Sequence, residues 1–202
     1  MNDLIFRQVR ILDGSGSAEF IGDVSVREGR INEVGTVTEP LAPSGREIVA
    51  DGAVLCPGLV DTHAHDDGAF FRHPGMQFKL SQGVTTVVSG NCGFSAIPAD
   101  PTKDSVAASG GILAGLEGEF TDLDGYYAAA LSRQPAINNM MLVGHNTVRS
   151  LVMGDSRSAP SGLQLREMQR HVSHAMEQGA CGFSSGLIYR PGRYSDTAEV
   201  TE

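Results

Sequence analysis

From Gly58 onward the chain alternates short apolar runs with stretches of helical periodicity, and no other feature narrows the fold as far. The runs lie at residues 58–62, 85–89, 139–143 and 180–184, and the segments between them have room for crossover helices. This pattern predicts β-α units on a parallel sheet. The clearest helix covers residues 161–178, with Ser161 as N-cap and Gly179 at its C-terminal end. Its Leu165, Met168, Val172, Ala175 and Met176 recur at steps of three and four and form one apolar stripe. His171 and His174 lie three apart on this helix without an evident acidic or thiol partner, which assigns them to its solvated face. A second helix is predicted over residues 122–133, ahead of Gln134-Pro135.

Before Gly58 the texture is that of short strands and turns. Residues 4–12 read as a strand followed by DGSGS, and DVSVREGRINEVG reads as a hairpin. Val24 and Val26 alternate on one arm, Glu28-Gly29 form the turn, and Ile31 and Val34 lie on the return. The polar, proline-containing TEPLAPSG reads as a connection, and residues 48–55 then lead to Cys56-Pro57-Gly58. That triplet is taken as a boundary, giving expected domains 1–57, the N-terminal part of a small β domain, and 58–202.

At 202 residues and 41% hydrophobic content the chain can bury a sizeable core. Its 24 acidic and 15 basic residues give a net charge of −9, which argues against a nucleic-acid or anionic-membrane partner, since both need clustered Lys and Arg. A small molecule is the expected partner. The opening MNDLIFRQVRILDG lacks the basic and apolar regions of a secretory signal, and no run reaches membrane-spanning length. The expected compartment is therefore cytoplasmic. Three widely spaced cysteines, Cys56, Cys92 and Cys181, fit a reducing environment better than a disulfide framework.

The densest chemistry is in LVDTHAHDD, residues 59–67. Successive strand side chains alternate faces, so Asp61, His63 and His65 are expected to point the same way. Two imidazoles at the carboxyl end of a strand can grip one metal ion; the alternative is a chance His-x-His in an ordinary loop. A further donor stands at the end of the next run, VTTVVSGNCGF, where Cys92 meets the loop. A thiolate with two imidazoles is a normal zinc set, while the alternative for Cys92 is a small buried apolar residue. Cys56 and Cys181 are read as buried apolar residues.

These stretches, followed by MLVGHNTVR and GACGFSSGLIYRPGRYS, resemble in order and spacing the N-acyl-D-amino-acid deacylases (D-aminoacylases) of the amidohydrolase superfamily. The resemblance covers essentially the whole chain. It implies an α/β fold in which an N-terminal small β-sandwich segment is followed by the first half of a (β/α)8 metal-dependent hydrolase barrel. It also implies zinc as cofactor, with His63 and His65 at one metal position and Cys92 at the adjacent one. Tyr189 resembles the tyrosine that contacts the substrate carboxylate; the alternative is an aromatic packing on the barrel rim. His145 is read as a structural hydrogen-bonding group, Asp61 as a residue that orients a neighbour, and Arg149, Arg190 and Arg193 as unranked groups that could attract a carboxylate. The implied reaction is hydrolysis of an N-acyl-D-amino acid to a D-amino acid and a carboxylic acid.

A barrel of eight units takes about 250 residues, and the stretch from 58 to 202 is far shorter. The chain is therefore expected to be a truncated part of the family's fold, without the later histidines and the aspartate base, and either to self-associate or to need a completing chain. Two alternatives stand beside the deacylase: a non-catalytic remnant or scaffold, and an amidohydrolase acting on a cyclic amide. The second is disfavoured, because such enzymes bridge two metals with a carboxylated lysine on the fourth strand and this chain offers only Lys79 and Lys103.

Overall fold

The structure is a computed structural model and describes residues 1–100 and 120–202; Lys103 lies outside the described residues. Contacts divide the chain into two compact units, Met1–Gly58 and Leu59–Glu202.

The first unit is a five-stranded mixed sheet. Strands β1 (Asn2–Ile11), β2 (Phe20–Arg27), β3 (Arg30–Gly35) and β4 (Leu41–Val49) are ordered β3-β2-β1-β4, and β5 (Val54–Leu55) also pairs with β1. The expected hairpin is present: β2 and β3 are antiparallel, with Arg27 opposite Arg30. Glu28 and Gly29 both take positive φ, 52° and 72°, the backbone that a two-residue hairpin turn needs to match strand twist. Val9, Ile11 and Val24 form the small buried core, whereas Ile31 and Val34 are exposed.

One expectation fails in this unit. The start of TEPLAPSG does connect, but Leu41 to Gly45 already belong to β4, which runs parallel to β1. Between the Asn2–Leu41 and Leu4–Arg46 pairs the register shifts, so two steps on β1 match five on β4. Such an irregularity is where a proline fits in a sheet, because its missing N–H need not serve the ladder.

The second unit is built on a curled parallel sheet with the order β6 (Leu59–Asp61), β7 (Val84–Ser89), β8 (Asn138–Gly144) and β9 (Gly182–Ser184). All four expected strands are present. Val87, Met141 and Val143 are fully buried and pack in one core with Phe70, Leu123, Tyr126, Met168 and Ala175. With the N-terminal sheet before it, this half-barrel gives the α/β architecture that the resemblance implies.

The two expected helices form as Leu123–Leu131 and Gly162–Glu177. Asp122 caps the first by accepting from the Gly125 N–H. Ser161 and Gln164 make a reciprocal capping box at the start of the second. The reading of its histidines needs correction, because both have acidic partners. His171 Nε2 lies 3.4 Å from Glu167, one turn back, and His174 Nε2 lies 3.6 Å from Asp122 of the other helix cap. A third helix, His145–Met153, was not expected from the sequence. Its buried residues include the consecutive His145, Asn146, Thr147, Val148 and Arg149, so polar side chains take the interior places and leave no apolar stripe to read. Among the described residues, no helix is long and apolar enough to cross a membrane.

Candidate metal centre

Strand β6 ends at Asp61, so the two histidines lie just beyond it rather than on it. The strip that carries them is nevertheless tightly held. The Ala64 N–H donates to the Val88 carbonyl at 3.0 Å, extending the β7 edge, and Asn91 Nδ2 donates to the carbonyls of Val88 and Ala64 at 2.8 and 3.3 Å. Ala64 is buried while His63 and His65 face out. Downstream, the buried carboxylate of Asp67 accepts from the Ala96 N–H at 2.9 Å and the Gly90 N–H at 3.3 Å. Burial raises its pKa to about 6 despite those two donors.

Asp61 does orient a neighbour, but through the backbone rather than through an imidazole. Its Oδ1 accepts from the His63 N–H at 3.1 Å and its Oδ2 from Lys79 Nζ at 2.6 Å. Lys79 also lies 2.9 Å from Asp66. The hydrogen bond from Lys79, then that from the His63 N–H, holds the Asp61 carboxyl below its ordinary range. Lys79, on the Gln77–Leu80 helix, is thus engaged by two carboxylates, those of Asp61 and Asp66.

Cys92 arrives from the end of β7 on a loop with three left-handed residues close together: Gly90 (φ 79°), Cys92 (φ 56°) and Gly93 (φ 80°). A non-glycine residue there is strained unless its surroundings fix it. The outcome is convergence: one donor atom from each of His63, His65 and Cys92 lies within 4.8 Å of the others, and Cys92 Sγ is 3.4 Å from His63 Nε2. Two donors on one tetrahedral zinc ion, at usual bond lengths, sit about 3.6 Å apart. Burial, then the neighbouring His63, lowers the pKa of His65, which favours the neutral imidazole that binds metal. The donor types and their spacing therefore fit a zinc ion.

The remaining expected residues are dispersed. Tyr189 follows β9, is 44% exposed, and sets its ring 5.7 Å from that of Phe94. His145 is buried with Nε2 2.9 Å from Glu199. Arg149 is fully buried, bonded to Glu199 and to the carbonyls of Ser156 and Ser158, so it is not free to attract a substrate carboxylate. Burial alone would raise the Glu199 pKa, but hydrogen bonds from Arg149, His145 and Ser195 outweigh it and hold the pKa below the ordinary value. Arg190 and Arg193 are exposed, the latter lying over the Tyr194 ring. All three cysteines are free thiols, yet Cys56 and Cys181 are exposed, against the reading of both as buried. Cys181 stands just before edge strand β9, its N–H donating to the Met141 carbonyl at 2.9 Å.

Sequence reasoning missed the supports of the Cys92 loop, Asn146 and Ser184. Ser184 Oγ accepts from the Gly93 N–H at 3.0 Å and donates to the Gly90 carbonyl. Asn146 Nδ2 donates to the Cys92 carbonyl at 3.2 Å. The only signal for them was position, since each stands at or just beyond a strand's carboxyl end.

Comparison with known proteins agrees with this architecture. The chain is 40% identical over 198 residues to an N-acyl-D-glutamate deacylase of Alcaligenes xylosoxydans xylosoxydans, covering 98% of this chain and 40% of the relative. It is 33% identical to a D-aminoacylase of the same organism, covering 99% and 41%. Among solved structures, N-acyl-D-glutamate deacylase from Bordetella bronchiseptica, complexed with zinc and a phosphonate inhibitor that mimics the tetrahedral intermediate, superposes with a TM-score of 0.87. That match is 40% identical and covers 98% of this chain and 41% of that one. A D-aminoacylase structure gives 0.79 at 34% identity, covering 99% and 42%. The chain thus spans about 40% of the length of these relatives. The model of the amidohydrolase family matches residues 46–199, and the chain belongs to that family.

Proposed function

We propose that this chain carries part of the active site of a zinc-dependent N-acyl-D-amino-acid deacylase, releasing a D-amino acid and a carboxylic acid. The observation that carries the reading is the convergence of His63, His65 and Cys92 at the carboxyl ends of β6 and β7. His63 and His65 would hold the ion, and the Cys92 thiolate would face the same ion or one beside it. Zinc, when bound, polarises the acyl carbonyl and activates water near neutral pH. The protein's own contribution is placement. Asp61 and the Val88 carbonyl fix the histidine strip, and the Cys92 loop brings sulfur to it. Tyr189, exposed beside Phe94, would receive the substrate carboxylate.

The domain reading follows the same lines: residues 1–57 as the N-terminal part of a small β domain and 58–202 as the first half of the barrel. The division of contacts near Gly58 supports it. A cyclic-amide activity is less favoured, because Lys79 is already engaged by Asp61 and Asp66.

The test is release of free amine from a panel of N-acetyl-D-amino acids by the chain with added zinc, with zinc binding measured in parallel. Turnover that collapses in Cys92→Ala supports the deacylase. Zinc binding that is unchanged in both Cys92→Ala and His63→Ala would sink the metal assignment. Binding without turnover on any substrate would favour a non-catalytic remnant.

A further inference from the structure

We infer that Asn146 is a positioning residue: one buried amide that clamps the Cys92 loop to the loop bearing Tyr189, so that both move as one body. The inference rests on the metal reading above for its consequence, but not for its geometry.

Asn146 is the second residue of the His145–Met153 helix and is fully buried. All its amide valences that count are used between loops. Nδ2 donates to the Cys92 carbonyl at 3.2 Å and to the Gly186 carbonyl at 3.3 Å, and Oδ1 accepts from the Gly192 N–H at 2.7 Å. Gly186 and Gly192 flank Tyr189 on either side. Both donor hydrogens and the acceptor are thereby spent holding two segments that otherwise have no ladder between them. A hydroxyl carries only one donor hydrogen and could not serve both carbonyls.

The close approach is visible from the glycines. A Cβ at Gly186 would stand 2.1 Å from the Cys92 carbonyl oxygen, one at Gly192 2.2 Å from Asn146 Oδ1, and one at Gly93 2.4 Å from Asn146 Nδ2. A Cβ at Gly144 would meet the Gly93 carbonyl oxygen at 2.4 Å. Backbones this close leave the amide no alternative place. Cys92 holds a left-handed φ of 56°, and the Asn146 bond to its carbonyl restrains the backbone immediately beyond that Cα, which helps hold the strained turn, and with it the thiol. The Thr147 N–H, the next residue along, fixes the Gly93 carbonyl at 3.1 Å.

The experiment is hydrogen exchange on the metal-free full chain, combined with metal titration. In the wild type, amides of segments 90–95 and 186–194 should open together, with one urea dependence. In Asn146→Ala both segments should exchange at least about tenfold faster, while the Gly162–Glu177 helix is unchanged. Zinc should bind about 10–100-fold more weakly, the usual loss when a group supporting a ligand is removed. With cobalt as spectroscopic probe, the thiolate charge-transfer band should weaken or shift. Gly192→Ala, which pushes on the same amide from the other side, should reproduce the effect. Asn138→Ala, an amide at the opposite end of β8, should leave all three readouts unchanged. Should the Asn146 variant not fold, the wild-type exchange decides: segments that open with different urea dependences overturn the clamp. Unchanged zinc affinity and cobalt spectrum in folded Asn146→Ala overturn the positioning role. Wild-type protein that binds neither metal refutes the metal reading instead, and the exchange result still decides whether the clamp exists.

Discussion

The two units solve the same problem, stabilising a sheet, with different materials. The first buries Ile5 and the small cluster of Val9, Ile11 and Val24, and adds its ladder and partly exposed ion pairs such as Arg7 with Asp23 and Glu47. The second buries a continuous apolar core and places charge inside it: the side chains of Arg149 and Glu199 are 0% and 1% exposed. The difference teaches where loss of a single group is dangerous. A surface pair that loses one member is rehydrated, whereas a buried charge that loses its partner is stranded.

That contrast can be broken by experiment, and local stability from hydrogen exchange reads each unit separately. Arg149→Ala should have the largest effect, about 3–5 kcal/mol, because Glu199 is left buried with only His145 and Ser195. Next, Leu123→Ala should cost about 2–5 kcal/mol through the cavity it leaves in the core, while Ile31→Ala on the first unit, 70% exposed, should stay within about 0.5 kcal/mol. An Ile31 effect as large as that of Leu123 would erase the distinction. Arg7→Ala should lose about 1 kcal/mol or less, shrinking further in high salt.

The last prediction concerns acid. Hydrogen bonds from the Thr38 hydroxyl and N–H lower the Glu33 pKa to about 2. A depressed carboxyl binds fewer protons folded than unfolded, so its contribution is present above about pH 4.5 and fades as pH falls towards 2. Thr38→Val should flatten that acid dependence in the first unit while leaving the second unit's profile unchanged; an unaltered profile in the first unit would show that these bonds do not couple to folding.

Much of this was legible beforehand because it follows from period and from capping chemistry. The four barrel strands announce themselves as apolar runs, Ser161 marks a helix start, and Glu28-Gly29 marks a turn. The grouping of His63, His65 and Cys92 was legible because His-x-His and a loop cysteine stand at the ends of neighbouring strands. What escaped was long-range satisfaction of polar groups. Asn146, Arg149 and Glu199 look like surface residues until partners 40 to 54 positions away bury them. No local period encodes such a match. For the same reason the exposure of Cys181 was misjudged, since a strand's apolarity does not say whether it ends a sheet.

The span of those polar links also sets an order in time. Every ladder partner of the first sheet lies within the first 55 residues, so that sheet can close while the ribosome is still making the barrel. Cys92 has no such luck: the serine that holds its loop is 94 positions beyond Gly90, and Gly192 comes later still. At about 5–20 residues per second, the Cys92 thiol spends roughly 5–20 s in a nascent chain before Ser184 and Gly192 are made. The histidine strip, whose partners Asp61, Val88 and Asn91 all precede Cys92, can therefore form before the loop that brings sulfur to it is fixed.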